Sequence, residues 1–167
     1  TDVDAFESEL RVQASLVHRD ILMVLDGGFA EVSSPGIAAG TPFMVLEWAS
    51  GGAAEAPSSW EGVRRLLVTC LSGLARAHAA GVVHRDVKLG NVLRCTSVDR
   101  RPGYKLADFG IALAAGSRAN RAGTPANMAP EQIEGRAHEI GPATDLYGLG
   151  CLAFRLATGR SAVKMTD

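Results

Sequence analysis

The chain has 167 residues, 47% of them hydrophobic, and a formal net charge of −1. That length corresponds to about one domain, and that hydrophobic share excludes a disordered chain. Near-neutral charge with no basic run argues against nucleic acid or an anionic membrane surface as the main partner, and no apolar stretch approaches the roughly 18 residues of a membrane span.

The opening TDVDAFESE is acidic and unlike a signal peptide. Val3, Phe6, Leu10, Val12, Leu16 and Val17, with Asp4, Glu7 and Glu9 between them, predict an amphipathic helix over 2–17. Ile21 to Leu25 is a short apolar run bounded by Asp20 and the Gly27-Gly28 pair, which predicts a strand followed by a turn. Residues 33–42 are a loop, Phe43 to Trp48 a second strand, and SGG at 50–52 a breaker. Ser58 or Ser59 caps a helix that runs to about Ala80 and stops at Gly81. Val82-Val83, Asn91 to Cys95 and Tyr104 to Ala107 are predicted as short strands, the last two joined by the turn-rich 96–103. Residues 108–131 are irregular. A final helix fits 143–158, with Leu146, Leu149, Leu152, Ala153, Leu156 and Ala157 on its buried side. Strands come early and helices later, which makes the fold class α+β.

Cys70, Cys95 and Cys151 are too widely separated for metal or disulfide spacing. They are expected to be small core hydrophobes of a reducing, cytoplasmic setting. A membrane anchor elsewhere in a longer protein is compatible with that. His18, His78 and His138 share no spacing that would hold a metal.

The stretch HRDVKLGN at 84–91 puts five polar or charged side chains straight after an apolar pair. Alone it is either a solvated turn or a site that handles charge. Asp108-Phe109-Gly110 follows the strand at 104–107, and Ala129-Pro130-Glu131 comes later. In this order the three segments resemble the signature of eukaryotic-type (Hanks-type) serine/threonine protein kinases. Gly123-Thr124-Pro125 and DLYGLG at 145–150 agree with it. The resemblance covers nearly the whole chain and implies a two-lobe kinase fold. On it, 1–167 is a partial kinase domain, with 1–48 the remainder of the N-lobe and 49–167 part of the C-lobe.

The resemblance implies a transfer of the γ-phosphate of ATP to a serine or threonine hydroxyl of a protein substrate in signal transduction. Asp108 would chelate Mg²⁺ (or Mn²⁺) on the phosphates and Asn91 would hold a second such ion, a hard cation suited to carboxylate and amide oxygens. Asp86 would accept or orient the substrate proton, and Lys88 would meet the γ-phosphate. Leu46 would be the gatekeeper, the backbone of Glu47 and Ala49 would meet adenine, and Leu93 would be the apolar floor beneath it. Glu9 matches the acid of the regulatory helix. His84 would pack beside Phe109, and Asp145 would anchor the catalytic-loop backbone. Arg85 before Asp86 matches kinases ordered by activation-loop phosphorylation, for which Ser117 is the candidate autophosphorylation site, implying a pairing of two kinase chains. Thr124 would bond to Asp86 and Lys88.

Several positions depart from the family pattern. No glycine-rich loop precedes Glu9, and none of the three lysines, Lys88, Lys105 and Lys164, stands where the phosphate-binding strand lysine belongs. The helices that normally follow GRSAV at 159–163 are missing, and with them the arginine that pairs with Glu131. Asn127 stands where tyrosine is common, and Gln13 where an apolar residue is usual. The Asp86 to Asp108 spacing is a few residues long, which implies an enlarged hairpin at 96–103. The expectation is a kinase domain cut at both ends, rich in Ala, Gly and Arg like bacterial kinases. Alone it should bind ATP poorly and leave apolar surface exposed. The alternatives are a pseudokinase that acts as a regulatory binding module and, third, a small-molecule phosphotransferase on the same fold.

Overall fold

The computed structural model describes residues 2–33, 35–109 and 125–163. In chain order the elements are helix α1 (Asp2–Ser15), strands β1 (Val24–Phe29) and β2 (Pro42–Leu46), and helix α2 (Trp60–Ala79). A 3-10 turn (Leu89–Asn91), strands β3 (Val92–Cys95) and β4 (Gly103–Leu106), and 3-10 turn Pro125–Asn127 follow. Helix α3 (Pro130–Ile133), 3-10 turn Ala137–Glu139 and helix α4 (Pro142–Thr158) end the described chain. The sheets are two separate antiparallel pairs, β1 with β2 and β3 with β4. This is the α+β architecture that the element order predicts.

β1 starts later than expected and runs through Gly27-Gly28, which pair with Met44 and Phe43 instead of turning. The reason is α1, which lies against this hairpin. A Cβ on Gly27 would fall 2.6 Å from a Leu10 methyl, so glycine is what lets the strand pass close to the helix. Phe6 of α1 meets Phe29 of β1 edge to face, centroids 5.3 Å apart. The segment at 20–22 is an extended edge along β4. Leu22 N–H donates to the Leu106 carbonyl at 2.9 Å and Leu106 N–H to the Asp20 carbonyl at 2.8 Å. α1 ends at Ser15, and Val3, Val12 and Val17 of its expected apolar face are exposed.

Ser59 is the cap of α2, its hydroxyl accepting from Gly62 N–H at 3.2 Å. Gly81, at φ 75°, ends the helix region in the left-handed conformation. Leu66, Cys70, Leu74 and Ala77 lie on one helical stripe and are buried. They join Val92, Leu106, Phe109, Leu149 and Leu152 in a single core. All three cysteines are free and buried. Burial, with the negative charge of Asp20 nearby, pushes the Cys70 thiol up to about 12, so it stays an inert apolar group.

Two expectations differ from the structure. Val82-Val83 belong to no strand; they follow the end of α2, and Val82 N–H still bonds to the Ala77 carbonyl at 3.0 Å. α4 buries Thr144, Asp145, Gly148, Leu149, Cys151 and Leu152, while Leu146 and Ala157 are exposed. The buried face is centred on a polar pair, Thr144 and Asp145, which apolar periodicity cannot find.

The loop at 96–103 carries the main cross-tie between segments. Arg101 donates to the His18 carbonyl at 2.9 Å, the Ile21 carbonyl at 3.2 Å and both oxygens of Glu47. Burial alone would raise the Glu47 carboxyl. The Arg101 guanidinium and the Met23 amide outweigh it and hold the group below its ordinary value. A depressed carboxylate contributes stability that is present at neutral pH and is lost as pH falls from the ordinary glutamate value through the lowered one. Glu47→Gln is therefore expected to lower unfolding free energy by about 2 kcal/mol at pH 7. Denaturant titrations at several pH values should show the gap from the parent protein narrowing as the medium becomes acidic; a gap independent of pH would contradict the pairing.

Candidate active site

The loop at 84–88 has no regular secondary structure, yet its backbone is held almost group by group. Asp145, at 1% exposure, accepts from His84 N–H at 2.9 Å and Arg85 N–H at 2.7 Å. His78 Nε2 lies 2.7 Å from the same carboxylate. The Asp86 N–H donates to His84 Nδ1 at 3.3 Å. On the acceptor side, the carbonyls of Arg85, Asp86 and Val87 each take one side-chain amide N–H. These come from Gln132 at 2.8 Å, Asn91 at 2.8 Å and Asn127 at 2.9 Å. Buried backbone groups need partners, and here α4, α3 and the turn Pro125–Asn127 supply them from far along the chain, while Asn91 and His84 supply theirs locally.

His84 is 1% exposed and packs against Phe109, ring centroids 4.6 Å apart. Since Nδ1 accepts from Asp86 N–H, Nε2 carries the proton and donates to the Ala107 carbonyl at 2.9 Å. Burial pushes the His84 pKa down against the pull of Asp145, so the ring is a neutral strut at neutral pH. It ties the loop to the segment that leads into Asp108.

Arg85 and Asp108 have left-handed backbones, φ 68° and 60°. For residues other than glycine each costs on the order of 1 kcal/mol. At Arg85 the strain is held by Asp145 on the amide and Gln132 on the carbonyl. Asp108 is exposed between buried Ala107 and Phe109. The carbonyl of Phe109 takes a hydrogen bond from buried Gln13 of α1.

Asp86 Oδ2 is 2.5 Å from Lys88 Nζ and 3.1 Å from Asn91 Nδ2. Three of the predicted residues therefore meet at one oxygen. The β3–β4 register brings the fourth to the same end of the hairpin. Val92 pairs with Leu106, and Ala107 N–H donates to the Asn91 carbonyl at 2.8 Å, one residue before Asp108. Because Asn91 Nδ2 is committed to Asp86, its Oδ1 is the atom left for a cation. Among the described residues no group of three His, Cys, Asp or Glu side chains could hold a metal.

Leu46, Asp108 and Phe109 line one crevice of about 10 Å³ together with Gln13. Glu47 N–H donates to the Met23 carbonyl at 2.8 Å. Ala49 follows in the extended segment after β2, and Leu93 lies in β3 opposite Lys105. Glu131 accepts the Thr144 hydroxyl at 2.6 Å, which with its backbone surroundings holds its carboxyl below the ordinary value. Arg85 Nε is buried without a hydrogen-bond partner among the described residues. Gly110, Ser117 and Thr124, and the side chain of Glu9, lie outside the described residues.

Sequence reasoning did not foresee the contacts of His78, Gln132, Asn127 and Gln13. Asn127 and Gln13 were visible as polar departures from a pattern, but their partners lie 40 and 96 residues away. Asp145→Asn, which turns one acceptor oxygen into a donor facing N–H groups, is expected to cost about 3 kcal/mol of unfolding free energy. Chemical denaturation checks this, and a loss below about 0.5 kcal/mol would show that the loop is held otherwise.

Residues 3–167 match the protein kinase domain family. The chain is 33% identical over 172 residues to the serine/threonine-protein kinase Pkn1 of Myxococcus xanthus, covering 95% of this chain and 23% of that protein. It is 36% identical over 167 residues to PknL of Mycobacterium tuberculosis, covering 93% of this chain and 38% of that one. The chain thus spans well under half the length of these relatives. The crystal structure of Rad53 1-466 in complex with AMP-PNP superimposes with a TM-score of 0.73 at 25% identity, over 98% of this chain and 40% of that one. With the described fold and loop geometry, these matches identify the chain as a member of the protein kinase domain family.

Proposed function

We propose that the protein is a serine/threonine kinase that transfers the γ-phosphate of ATP to a hydroxyl of a protein substrate, with Asp86, Lys88, Asn91 and Asp108 as its catalytic group. The observation that carries this reading is the shared oxygen, Asp86 Oδ2, with Lys88 Nζ at 2.5 Å and Asn91 Nδ2 at 3.1 Å. Phosphoryl transfer needs little covalent chemistry from a protein; it needs positioning and charge neutralisation. Asp86 orients the substrate hydroxyl and accepts its proton as the oxygen attacks. The ammonium of Lys88, on the same loop, neutralises charge on the transferring phosphoryl group. Fixing the loop backbone from five side chains keeps these groups aimed without cost at the moment of reaction.

The residues present fit a divalent cation. Asn91 offers an amide oxygen and Asp108 an exposed carboxylate, both hard ligands suited to Mg²⁺ or Mn²⁺. When bound with ATP, the ion would neutralise the phosphates. For the base, the Glu47 carbonyl and the Ala49 N–H are outside the described hydrogen bonds, whereas the Glu47 N–H is used by Met23. That leaves one acceptor and one donor for adenine. Arg85, whose buried Nε has no partner among the described residues, is a receptor for a phosphorylated activation-loop residue, for which Ser117 remains the candidate.

The intact protein is expected to transfer label from γ-labelled ATP to a serine- or threonine-containing protein substrate when Mg²⁺ is present. Asp108→Asn and Asp86→Asn should each lower turnover by at least about 100-fold with the circular dichroism spectrum unchanged. Label transfer at the parent rate by either variant would overturn the assignment.

A further inference from the structure

A second cleft lies between the segment that follows α1, the helix α2 and the β3–β4 hairpin. Its volume is about 460 Å³. Arg19, Arg65, Arg94, Arg101 and Lys105 all line it, against one carboxylate, Asp20. In a chain whose formal net charge is −1 this is a sharp local excess of positive charge. Bringing like charges together from three separate elements is unfavourable unless something compensates them.

The compensation inside the protein is partial. Arg101 is paired with Glu47 and is accounted for. Arg19 stands 3.6 Å from Asp20, a loose and exposed contact. The side chains of Arg65 and Arg94 take part in none of the described hydrogen bonds or ion pairs, and Glu61, one turn before Arg65, is taken by Arg64 through two hydrogen bonds. Lys105 is only 2% exposed, and among the described residues its ammonium has a single hydrogen-bond acceptor, the Arg19 carbonyl. Burial, with Arg101 adding repulsion, pushes the Lys105 pKa down. A buried ammonium short of acceptors is costly to keep, and it gains most from an anion that enters the cleft.

We propose that this cleft is a binding site for a phosphoryl anion, engaged by the guanidinium groups of Arg65 and Arg94 with Arg19 at the rim and Lys105 beneath. Guanidinium groups match phosphate oxygens in pairs, and two of them on different elements can grip one phosphoryl group from two sides. The volume exceeds that of a single phosphate, so the ligand carries further phosphoryl groups or is a phosphorylated side chain with its neighbours. Binding here would fasten α2 to the hairpin and to the segment after α1. Arg101, which also reaches Glu47, continues that connection to the segment after β2.

The test uses the intact protein in EDTA, so that no divalent cation bridges anions to the proposed catalytic group. Two probes are titrated separately by calorimetry: inorganic tripolyphosphate, and a peptide carrying one phosphoserine beside its unphosphorylated control. Saturable binding of either probe is expected, weakened at least about tenfold by the double substitution Arg65→Glu/Arg94→Glu and weakened by added salt. The probe that binds distinguishes a free polyphosphate from a phosphorylated chain. Both arginines are exposed, so the fold should tolerate the change; Arg65→Gln/Arg94→Gln gives the same reading if charge reversal unfolds the protein. Absence of saturable binding by both probes, or binding that ignores these substitutions, would overturn the proposal.

Discussion

A carboxylate with almost no solvent, Asp145, is the constraint on which the arrangement of the candidate active site depends. It sits at 1% exposure in the first turn of α4 and meets three donors: the amides of His84 and Arg85 and the ring of His78. An unpartnered carboxylate at such a place would cost several kcal/mol. The demand for donors is therefore what draws the loop at 84–88 against the helix. Once the two amides are fixed, Arg85 takes its left-handed backbone, and Asp86 and Lys88 are turned toward each other. Gln132, Asn91 and Asn127 complete the arrangement by meeting the successive carbonyls. The loop is held through its backbone amides and carbonyls, although no helix or strand includes it.

Arg101 plays a comparable part at the opposite edge. It joins the segment after α1, the carboxylate of Glu47 and the hairpin loop in one set of hydrogen bonds. The segment proposed to meet adenine thus hangs from an arginine in the long β3–β4 connection. Asp99 adds a second tie, accepting from Thr96 N–H at 2.6 Å and from the Ser50 hydroxyl at 2.8 Å.

Elements with a local cause were legible in the sequence. Ser59 and Gly81 bracket α2 because capping depends on neighbours one turn away. The hairpin formed by β3 and β4 followed from two short apolar runs with turn residues between them. β1 was displaced because Gly27 serves the close approach of Leu10, a contact 17 residues distant, and so acts as a strand residue. The exposed Leu146 was misread because α4 turns its polar Thr144 and Asp145 inward. At the site, the residue types of HRDVKLGN and DFG were recognisable as a pattern. Their hydrogen bonds to Gln132, Asn127 and Gln13 were not, because each depends on tertiary contact and on amide side chains that carry no periodic signal.

The central proposal is that Asn91 and Asp108 present their oxygens to a nucleotide-bound divalent ion while Asp86 faces the incoming hydroxyl. Crystals of the intact protein with Mn²⁺ and a non-hydrolysable ATP analogue would test this most directly through the anomalous signal of the metal. A peak about 2.2 Å from both Asn91 Oδ1 and an Asp108 carboxylate oxygen is the expected result. A nucleotide-bound metal with neither residue in its coordination sphere would contradict it.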